Sequence, residues 1–325
     1  MKQHFFGYYE MTDEQFHNLW DNCVFMVDTN VLLDMYRLTP GARDTLFNIL
    51  EQLRERLWIP YQVAVEYHKN ISAVILEQID YCKEISSLSA QLVTKILNGC
   101  ASNRRYPYLS TILQGHIKEV ASNIENEIER EKKDLQECIS NNSIKNRVAQ
   151  LLEGRLLEKM DEDKLNKIYN DGKKRYESKI PPGYGDVKNK KGNDVYGDLV
   201  IWEEMMAFAI AKQKDIIFIT NDTNKDDWFI LEANKVRGPR AELRMEFYQR
   251  TNRIYYAYSS SAFLQYVGDY IGTPKVSEAI IDEVASMIID KLESNSEIGD
   301  EYNANYYFAT GDIGQIEDTS SNESI

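Results

Sequence analysis

The chain is poor in the features that mark zinc clusters, disulfide frameworks, nucleotide-binding loops and membrane spans. Its 325 residues include four cysteines and no Cys-x-x-Cys pair, so neither a zinc cluster nor a disulfide framework is expected. No Gly-x-Gly-x-x-Gly or Walker loop occurs, which argues against a nucleotide-binding protein. No run approaches the roughly 18 apolar residues of a membrane span, and the first ten residues lack the apolar core of a secretion signal. We therefore expect a soluble, cytoplasmic protein with no membrane association.

The net charge of −14 is unevenly distributed along the chain. Beyond Pro274 there are twelve acidic residues and two lysines, so this segment carries most of the excess negative charge. A strongly acidic protein is at first sight a poor partner for nucleic acid, but the residues before Pro274 are much closer to neutral. The overall charge therefore does not exclude nucleic acid as a partner, and local patches must decide.

Two short apolar runs each end at small polar residues and an acid. Val24–Val27 is followed by Asp28, and Ile216–Ile219 is followed by Thr220–Asp222. Apolar runs of this length, rich in β-branched residues, predict strands buried on both faces of a parallel sheet. Parallel strands present their carboxyl ends at one edge, where open α/β sheets bind ligands. We therefore expect Asp28 and Asp222 to lie near each other.

Strand and helix patterns alternate in the first 273 residues and predict an α/β fold, a parallel sheet flanked by helices. From about 71 to 176, apolar residues recur every three or four positions without a strand signal, which predicts long amphipathic helices. We divide the chain into an α/β domain (1–71 and 185–273), a helical insertion (72–184) and an acidic tail (274–325). The coiled-coil character of the insertion favours a homodimer. The tail is expected to contain one amphipathic helix followed by disorder.

Four acids occupy positions from which side chains of different elements could converge. Asp28 and Asp222 follow strands, Glu66 lies in a helix after the second predicted strand, and Asp198 lies at the start of a helix. Carboxylates in close proximity raise one another's pKa unless cations neutralise them. Mg²⁺ and Mn²⁺ prefer such oxygen ligands, and a pair of these ions activates water for phosphodiester hydrolysis.

Several stretches resemble a known family. The sequence Val-Asp-Thr-Asn-Val-Leu-Leu at 27–33 resembles the opening motif of PIN-domain ribonucleases. The segments 196–202 and 218–222, with the later Asp227-Trp228, are similar to the PIN-like branch that carries a long helical insertion. The resemblance implies a PIN-like parallel sheet with a large all-helical insertion. It also implies a metal-dependent endonuclease that uses Mg²⁺ or Mn²⁺ and cleaves single-stranded nucleic acid, with RNA favoured over DNA and both left open.

The resemblance implies roles for individual residues as well. Those that would bind the metal are acids, namely Asp28, Glu66, Asp198, Asp222 and Asp227. Either Asp226 or Asp227 could supplement or replace Asp222. Asn30 and Thr220 would be polar groups that orient the carboxylates or a water molecule.

Each acid also has an ordinary structural interpretation. An Asp that follows a strand is often a helix N-cap, and Asp198 could simply cap its helix and interact with the helix dipole. Glu51 and Glu77 compete with Glu66 for the role of the helical acid.

Basic and aromatic residues flank the predicted edge of the sheet. A lysine-rich loop leads into Asp198, a row of arginines follows Asp222, and tyrosines lie in both regions. These side chains could bind phosphates and stack on bases, or they could form a solvated loop and helix face. They are Lys173, Lys174, Arg175, Lys179, Lys188, Lys190, Lys191, Arg237, Arg240, Arg244, Arg250, Arg253, Tyr176, Tyr184, Tyr196 and Tyr248.

Two other functions compete with the nuclease. A haloacid-dehalogenase-type phosphohydrolase also begins with an Asp at a strand end, but the second acid that such enzymes carry two positions later is Asn30 here. A catalytically silent PIN-like scaffold would bind protein partners through the helical insertion and the acidic tail. The presence of all four acids favours the nuclease over the scaffold.

Overall fold

The computed structural model describes residues 1, 5–102, 107–188, 190–223, 228–232 and 235–295. The strands are β1 (Val24–Val27), β2 (Leu57–Trp58), β3 (Ile216–Ile219), β4 (Phe229–Glu232), β5 (Lys235–Pro239) and β6 (Tyr255–Tyr258). The helices are α1 (Asp13–Asn22), α2 (Thr29–Asp34), α3 (Pro40–Gln52), α4 (Tyr61–Ser102), α5 (Pro107–Asn141), α6 (Ser143–Leu152), α7 (Glu162–Glu177), α8 (Gly197–Lys212), α9 (Ala241–Thr251), α10 (Ser260–Ile271) and α11 (Glu278–Asn295). Short 3₁₀ helices include Tyr184–Lys188 and Gly192–Tyr196.

In unit 1 the strands of the principal sheet lie in the order β1-β3-β6. β1 pairs in parallel with β3, with Val27 opposite Ile219, and β3 pairs in parallel with β6, with Ile219 opposite Tyr258. Every residue of β1 and β3 is buried, as expected for parallel strands that are covered on both faces. The prediction of an α/β fold with a parallel sheet flanked by helices is confirmed.

The chain forms two compact units. Unit 1 consists of residues 1–28 and 157–325, and unit 2 consists of residues 29–156. Unit 1 contains β1, β3 and β6 together with α7 to α10, and unit 2 contains the two longest helices, α4 and α5. The division of the chain into an α/β domain, an insertion and a tail stays a prediction from the sequence.

Aromatic side chains fill the core of unit 1. Trp20 of α1 is fully buried and stacks on Phe263 of α10 with ring centroids 5.9 Å apart. Trp202 of α8 is also fully buried and meets Trp228 edge-on at 6.0 Å. Large buried rings contribute strongly to the free energy of folding, so α1, α8 and α10 are held firmly within this unit.

In unit 2, α4 and α5 form an antiparallel hairpin. Its core includes Cys82 of α4 and Ile128 and Leu135 of α5, and the Ser86 hydroxyl donates to the Glu125 carboxylate at 3.1 Å. Residues later in α4 therefore contact residues earlier in α5, which is the pattern of an antiparallel pair of helices. The long helices that were predicted for this part of the chain are confirmed.

The structure also contains a β-hairpin that the sequence analysis did not predict. β4 and β5 pair antiparallel directly after the segment that follows β3. Trp228, at the start of this hairpin, contacts Phe218 of β3 with ring centroids 4.9 Å apart. Neither strand shows the regular alternation of apolar and polar residues that marks a strand in sequence. β4 begins with three apolar residues in a row, and β5 contains Gly238 and Pro239.

The C-terminal helix predicted beyond Pro274 is confirmed as α11. The expectation of disorder falls on residues 296–325, which lie outside the described residues. Across the described parts of the chain, no helix combines the length and the apolar character needed to cross a membrane.

Candidate active site

Asp28 lies at the carboxyl end of β1. Its backbone N–H donates to the carbonyl of Ile219 at 2.9 Å, which continues the parallel ladder one residue beyond the strand. Its side chain is buried, with the residue only 4% exposed. A buried carboxylate is costly unless hydrogen bonds or counter-charge compensate it, so the polar groups around Asp28 decide whether this position is stable.

Thr220, the residue after β3, provides one of these polar groups. Its fully buried hydroxyl donates to Oδ2 of Asp28 at 2.6 Å and accepts from the backbone N–H of Asp222 at 3.1 Å. One oxygen atom therefore links the carboxylate at the end of β1 to the backbone of the acid after β3. The contact is of the kind that the predicted orienting role of Thr220 requires.

Asn221 anchors the turn that carries Asp222. Its Oδ1 accepts from both the backbone N–H of Ser260, at 2.9 Å, and the hydroxyl of Ser260, at 2.7 Å. The carbonyl of Asn221 accepts from the N–H of Thr223 at 3.0 Å. Because Ser260 begins α10, the turn is tied to that helix, and the partly exposed Asp222 sits between fixed neighbours.

Asp198 is the second residue of α8 and is 8% exposed. The N-cap residue of this helix is Tyr196, and its side chain makes no capping hydrogen bond. The interpretation of Asp198 as the N-cap is therefore wrong. Its carboxylate belongs to the first turn of α8, where the helix dipole favours a negative charge.

Gly183 brings the backbone of the preceding loop against Asp198. Its φ is +83°, and a Cβ on this residue would lie 3.2 Å from Oδ2 of Asp198 and 2.6 Å from the hydroxyl of Tyr176. Glycine alone combines this backbone conformation with so close an approach. The sequence analysis missed Gly183, although its position in a Pro-Pro-Gly turn marks it as a turn residue.

Glu66 lies in the second turn of α4, in unit 2, and is partly buried. Its Oε2 accepts from the hydroxyl of Thr29 at 3.0 Å, and its Oε1 accepts from Nε2 of Gln62 at 2.8 Å. Thr29 directly follows Asp28 in the chain and begins α2, in which Asn30 is the second residue. Two neutral donors thus fix the orientation of the Glu66 carboxylate within unit 2.

The two acids that competed with Glu66 are engaged in ion pairs within unit 2. Glu77 accepts from Nη2 of Arg37 at 2.6 Å, and Glu51 lies 3.3 Å from Nε of Arg147. Both carboxylates are far more exposed than that of Asp28. Neither has the pair of neutral donors that holds Glu66.

Asp226 and Asp227, the alternative acids after Asp222, lie outside the described residues. Within the ranges that the structure does describe, no group of three or more His, Cys, Asp or Glu side chains is clustered as a metal would require. The metal ligands therefore stay a prediction, supported by the position and burial of the individual acids.

Most of the arginines that follow Asp222 make structural contacts. Arg244 is 9% exposed and donates to two backbone carbonyls of the N-terminal segment, and Arg250 forms a bidentate pair with Glu203. Arg237 is an exposed residue of the same row. This row is therefore not a continuous phosphate-binding surface.

The tyrosines are also largely packed. Tyr176 is 7% exposed and lies against Tyr196 with ring centroids 5.3 Å apart, and Tyr248 meets Phe6 edge-on at 4.7 Å. For Tyr176 and Tyr196 the interpretation as base-stacking platforms gives way to one as packing residues, whereas Tyr248 is 41% exposed and keeps both interpretations. The lysines of the loop before Asp198 remain exposed, with Lys190 paired to Asp186.

Tyr255 of β6 lies within the electrostatic influence of Asp28. Burial raises the pKa of Tyr255 well above its ordinary value, and the charge of Asp28 raises it further. The phenol is therefore neutral at physiological pH, and it belongs to the start of β6, opposite Ile216, rather than to the carboxyl edge that carries Asp28.

Comparison with protein families decides the classification. The model of the PIN-like domain matches residues 24–243, about two thirds of the chain. The chain belongs to the PIN-like domain family. Searches of curated proteins and of solved structures found no match. In this PIN-like domain the matched segment includes β1, β3 and all four predicted acids.

The donor chemistry of the predicted site fits Mg²⁺ or Mn²⁺. Asp28 and Asp198 are carboxylates held in buried positions of unit 1, Asp222 is held by its anchored turn, and hard divalent cations bind through such oxygen atoms. No soft ligand such as a cysteine belongs to the set. In donor chemistry these three residues of unit 1 suit such an ion, although they do not form a metal-binding cluster within the described residues, and Thr220 fixes the Asp28 carboxylate.

We predict that Thr220→Val lowers the free energy of unfolding by about 1–3 kcal/mol, because the buried Asp28 carboxylate loses a hydrogen-bond donor. Thr220→Ser retains the hydroxyl and is the matched control, for which a smaller loss is expected. Urea denaturation followed by tryptophan fluorescence measures both. Equal losses in the two variants would mean that the methyl group, and not the hydroxyl, stabilises this position.

Proposed function

We propose that this PIN-like domain is a metal-dependent endonuclease that hydrolyses phosphodiester bonds of single-stranded nucleic acid, RNA rather than DNA. The observation that carries the proposal is the placement of Asp28 at the carboxyl end of β1, joined through Thr220 to the turn that bears Asp222. PIN-like domains are generally nucleases, and membership of the family supports the same activity here.

The proposed metal ligands are Asp28, Asp198 and Asp222 of unit 1. Glu66 of unit 2 and Asp227 join the set on the sequence resemblance alone. Bound Mg²⁺ or Mn²⁺ would supply an activated water and offset the charge of the phosphate. The chain itself contributes carboxylates in fixed orientations, with Thr220 as the group that orients Asp28. Asn30 is added as an orienting group on the sequence resemblance alone.

Exposed lysines support nucleic acid as the substrate. Lys173, Lys174 and Lys179 lie at the end of α7 and in the loop after it, and Lys188 lies further along the same loop toward Asp198. Positive charge that attracts the phosphate backbone is the general requirement for binding nucleic acid. We further propose a cytoplasmic location, in keeping with four scattered cysteines and no Cys-x-x-Cys pair in the sequence.

Membership of the PIN-like family argues against the haloacid-dehalogenase alternative. The silent scaffold stays as the second candidate, because a PIN-like fold could persist without catalysis. The buried acids favour the enzyme, since a scaffold gains nothing from carboxylates that are costly to bury.

We predict that Asp28→Asn and Asp198→Asn each lower kcat/KM for labelled single-stranded RNA by roughly 100-fold or more, since losing a metal ligand exceeds the effect of losing an outer partner. The activity requires Mn²⁺ or Mg²⁺ and is abolished by EDTA. Asp171→Asn, at an exposed acid of α7, is the matched control and retains activity. Single-stranded DNA of the same sequence is cleaved more slowly.

Cleavage by Asp28→Asn at the wild-type rate would refute the proposed site. Complete absence of cleavage by the wild type, on RNA and DNA and with either metal, would favour the scaffold.

We also propose that the hairpin of unit 2 joins two copies of the chain. Two rows of large apolar side chains are exposed along it: Leu88, Leu92 and Ile96 on α4, and Ile112, Leu113, Val120 and Ile124 on α5. The stretches 86–98 and 111–124 that carry them contain three charged residues, Lys95, Lys118 and Glu119. Such a surface suits an apolar partner better than water.

The size of the surface fits a second copy of the same hairpin. From their exposed fractions, the seven side chains would bury roughly 600 Å² per copy, or about 1,200 Å² in total, which reaches the range of specific dimers. Two antiparallel hairpins that cover each other's apolar rows form a four-helix bundle, and a two-fold axis makes the contact self-complementary.

We predict that the wild type elutes with a mass close to twice the 37.8 kDa of one chain, and that Leu88→Glu combined with Leu92→Glu converts it to a monomer. Light scattering after size exclusion measures both masses. Thr94→Glu, two residues on and so on roughly the opposite side of α4, is the matched control and stays dimeric. A monomeric wild type at micromolar concentration would contradict the proposal.

A further inference from the structure

Arg175, near the end of α7, is committed to an internal contact and not to solvent. Its guanidinium makes a bidentate pair with Glu246 of α9, with Nη1 to Oε1 at 2.8 Å and Nη2 to Oε2 at 2.6 Å. Its Nε also donates to the backbone carbonyl of Pro181 at 3.1 Å, and Nη2 reaches the same carbonyl. One side chain therefore joins α9 to the loop that follows α7.

Glu246 collects contacts from three helices. Besides Arg175 of α7, it accepts from the indole Nε1 of Trp202 at 3.3 Å and from Nη1 of Arg250 at 3.2 Å. Burial alone would raise the pKa of Glu246, but hydrogen bonds and charge from Arg175 and Arg250 outweigh it and hold that pKa below its ordinary value. The carboxylate is therefore ionised at neutral pH and keeps its partners.

The network reaches Asp198 by two routes, through Trp202 on the same helix and through Pro181 in the loop that contains Gly183. Trp202 is four residues after Asp198 on α8, so the two side chains share one face of that helix. Pro181 is two residues before Gly183, whose Cα faces the Asp198 carboxylate. A third contact binds α7 to the same helix turn: a Cβ on Gly172 would lie 2.7 Å from Tyr196 and 2.9 Å from Leu199.

We infer that Arg175 and Glu246 are positioning residues that set where the Asp198 carboxylate stands, by holding the Pro181–Gly183 loop and α8 together. The inference rests on the proposed function, because the placement of Asp198 matters only if Asp198 binds the metal. Residues that orient a metal ligand typically change metal affinity or activity by 10- to 100-fold when they are removed.

The same contacts argue against a direct role for Arg175 in binding the phosphate backbone. The Arg175 side chain is 15% exposed, and its guanidinium is already engaged by the Glu246 carboxylate and the Pro181 carbonyl. A phosphate contact would require this bidentate pair to break. Loss of Arg175 should therefore change metal binding and turnover more than the affinity for RNA.

The test compares Arg175→Met and Glu246→Gln with Glu203→Gln. The control breaks the neighbouring bidentate pair between Glu203 of α8 and Arg250 of α9, and it leaves the contacts of Arg175 with Glu246 and Pro181 in place. We expect the first two variants to lower kcat by roughly 10-fold or more and to raise the Mn²⁺ concentration for half-maximal activity by a similar factor. KM for RNA should change little. Arg175→Lys keeps the positive charge but not the two-pronged guanidinium, so its kcat should lie between those of the wild type and Arg175→Met.

A second readout does not depend on catalysis. Lys179 is exposed at the start of the loop, so trypsin cleavage after it reports how often the loop opens. Arg175→Met should speed this cleavage roughly tenfold, because hydrogen bonds to a charged group hold the loop, whereas Glu203→Gln should not. Thermal unfolding confirms that each variant is folded, and Glu246→Gln provides the milder change if Arg175→Met is not.

Two results would overturn the inference in distinguishable ways. If the wild type neither binds Mn²⁺ nor cleaves RNA, the proposed function fails and the inference fails with it. If the wild type is active while Arg175→Met and Glu246→Gln match Glu203→Gln in kcat, in Mn²⁺ dependence and in proteolysis, the inference alone fails.

Discussion

The hydrogen bond from Thr220 to Asp28 joins the ends of two parallel strands, and the arrangement of the acids in unit 1 depends on it. Parallel pairing of β1 with β3 places Val27 opposite Ile219, so the residues that follow them leave the sheet at the same edge. The Thr220 hydroxyl can then reach the Asp28 carboxylate and the backbone of Asp222 together. A shift of one residue in this register would reverse the faces on which the side chains lie and separate these groups.

A closely packed apolar core surrounds this hydrogen bond. A carboxylate with 4% exposure tolerates little movement of its hydrogen-bond donor, because losing the contact would leave a buried charge uncompensated. The buried strands and the tryptophans of α1 and α8 limit such movement within unit 1. Asn221 adds a polar anchor to α10 at the same edge. A site for a hard cation needs this kind of fixed carboxylate geometry.

The strands and helices that depend on local sequence pattern were predicted correctly. The apolar runs before Asp28 and Thr220 identified the two central strands, and the rule for parallel sheets then placed their carboxyl ends at one edge. The long helices followed from apolar residues at helical spacing. The β4–β5 hairpin was missed because its strands have no regular alternation of apolar and polar residues. The N-cap alternative for Asp198 was wrong because α8 begins at Gly197, which makes Tyr196 the N-cap and Asp198 the second helical residue.

Contacts between distant residues could not be predicted from a single sequence. Arg175 and Glu246 are 71 positions apart, and no spacing rule connects them, so the sequence left Arg175 with two interpretations, phosphate binding or a solvated loop, and indicated neither of its actual partners. The structural contacts of Arg244 and Arg250 were not predictable for the same reason, since their carbonyl and carboxylate partners come from other elements. The sequence shows which positively charged side chains could bind a phosphate. Only the fold shows whether a carboxylate or carbonyl group of the protein already binds them.

The central claim is that the acids of unit 1 form a site for a divalent cation, and direct Mn²⁺ binding without nucleic acid tests it best. Calorimetric titration of Mn²⁺ into the wild type should show saturable binding that Asp198→Asn abolishes, while Asp171→Asn binds as the wild type does. Absence of any saturable binding by the folded wild type, or equal binding by Asp198→Asn, would contradict the account.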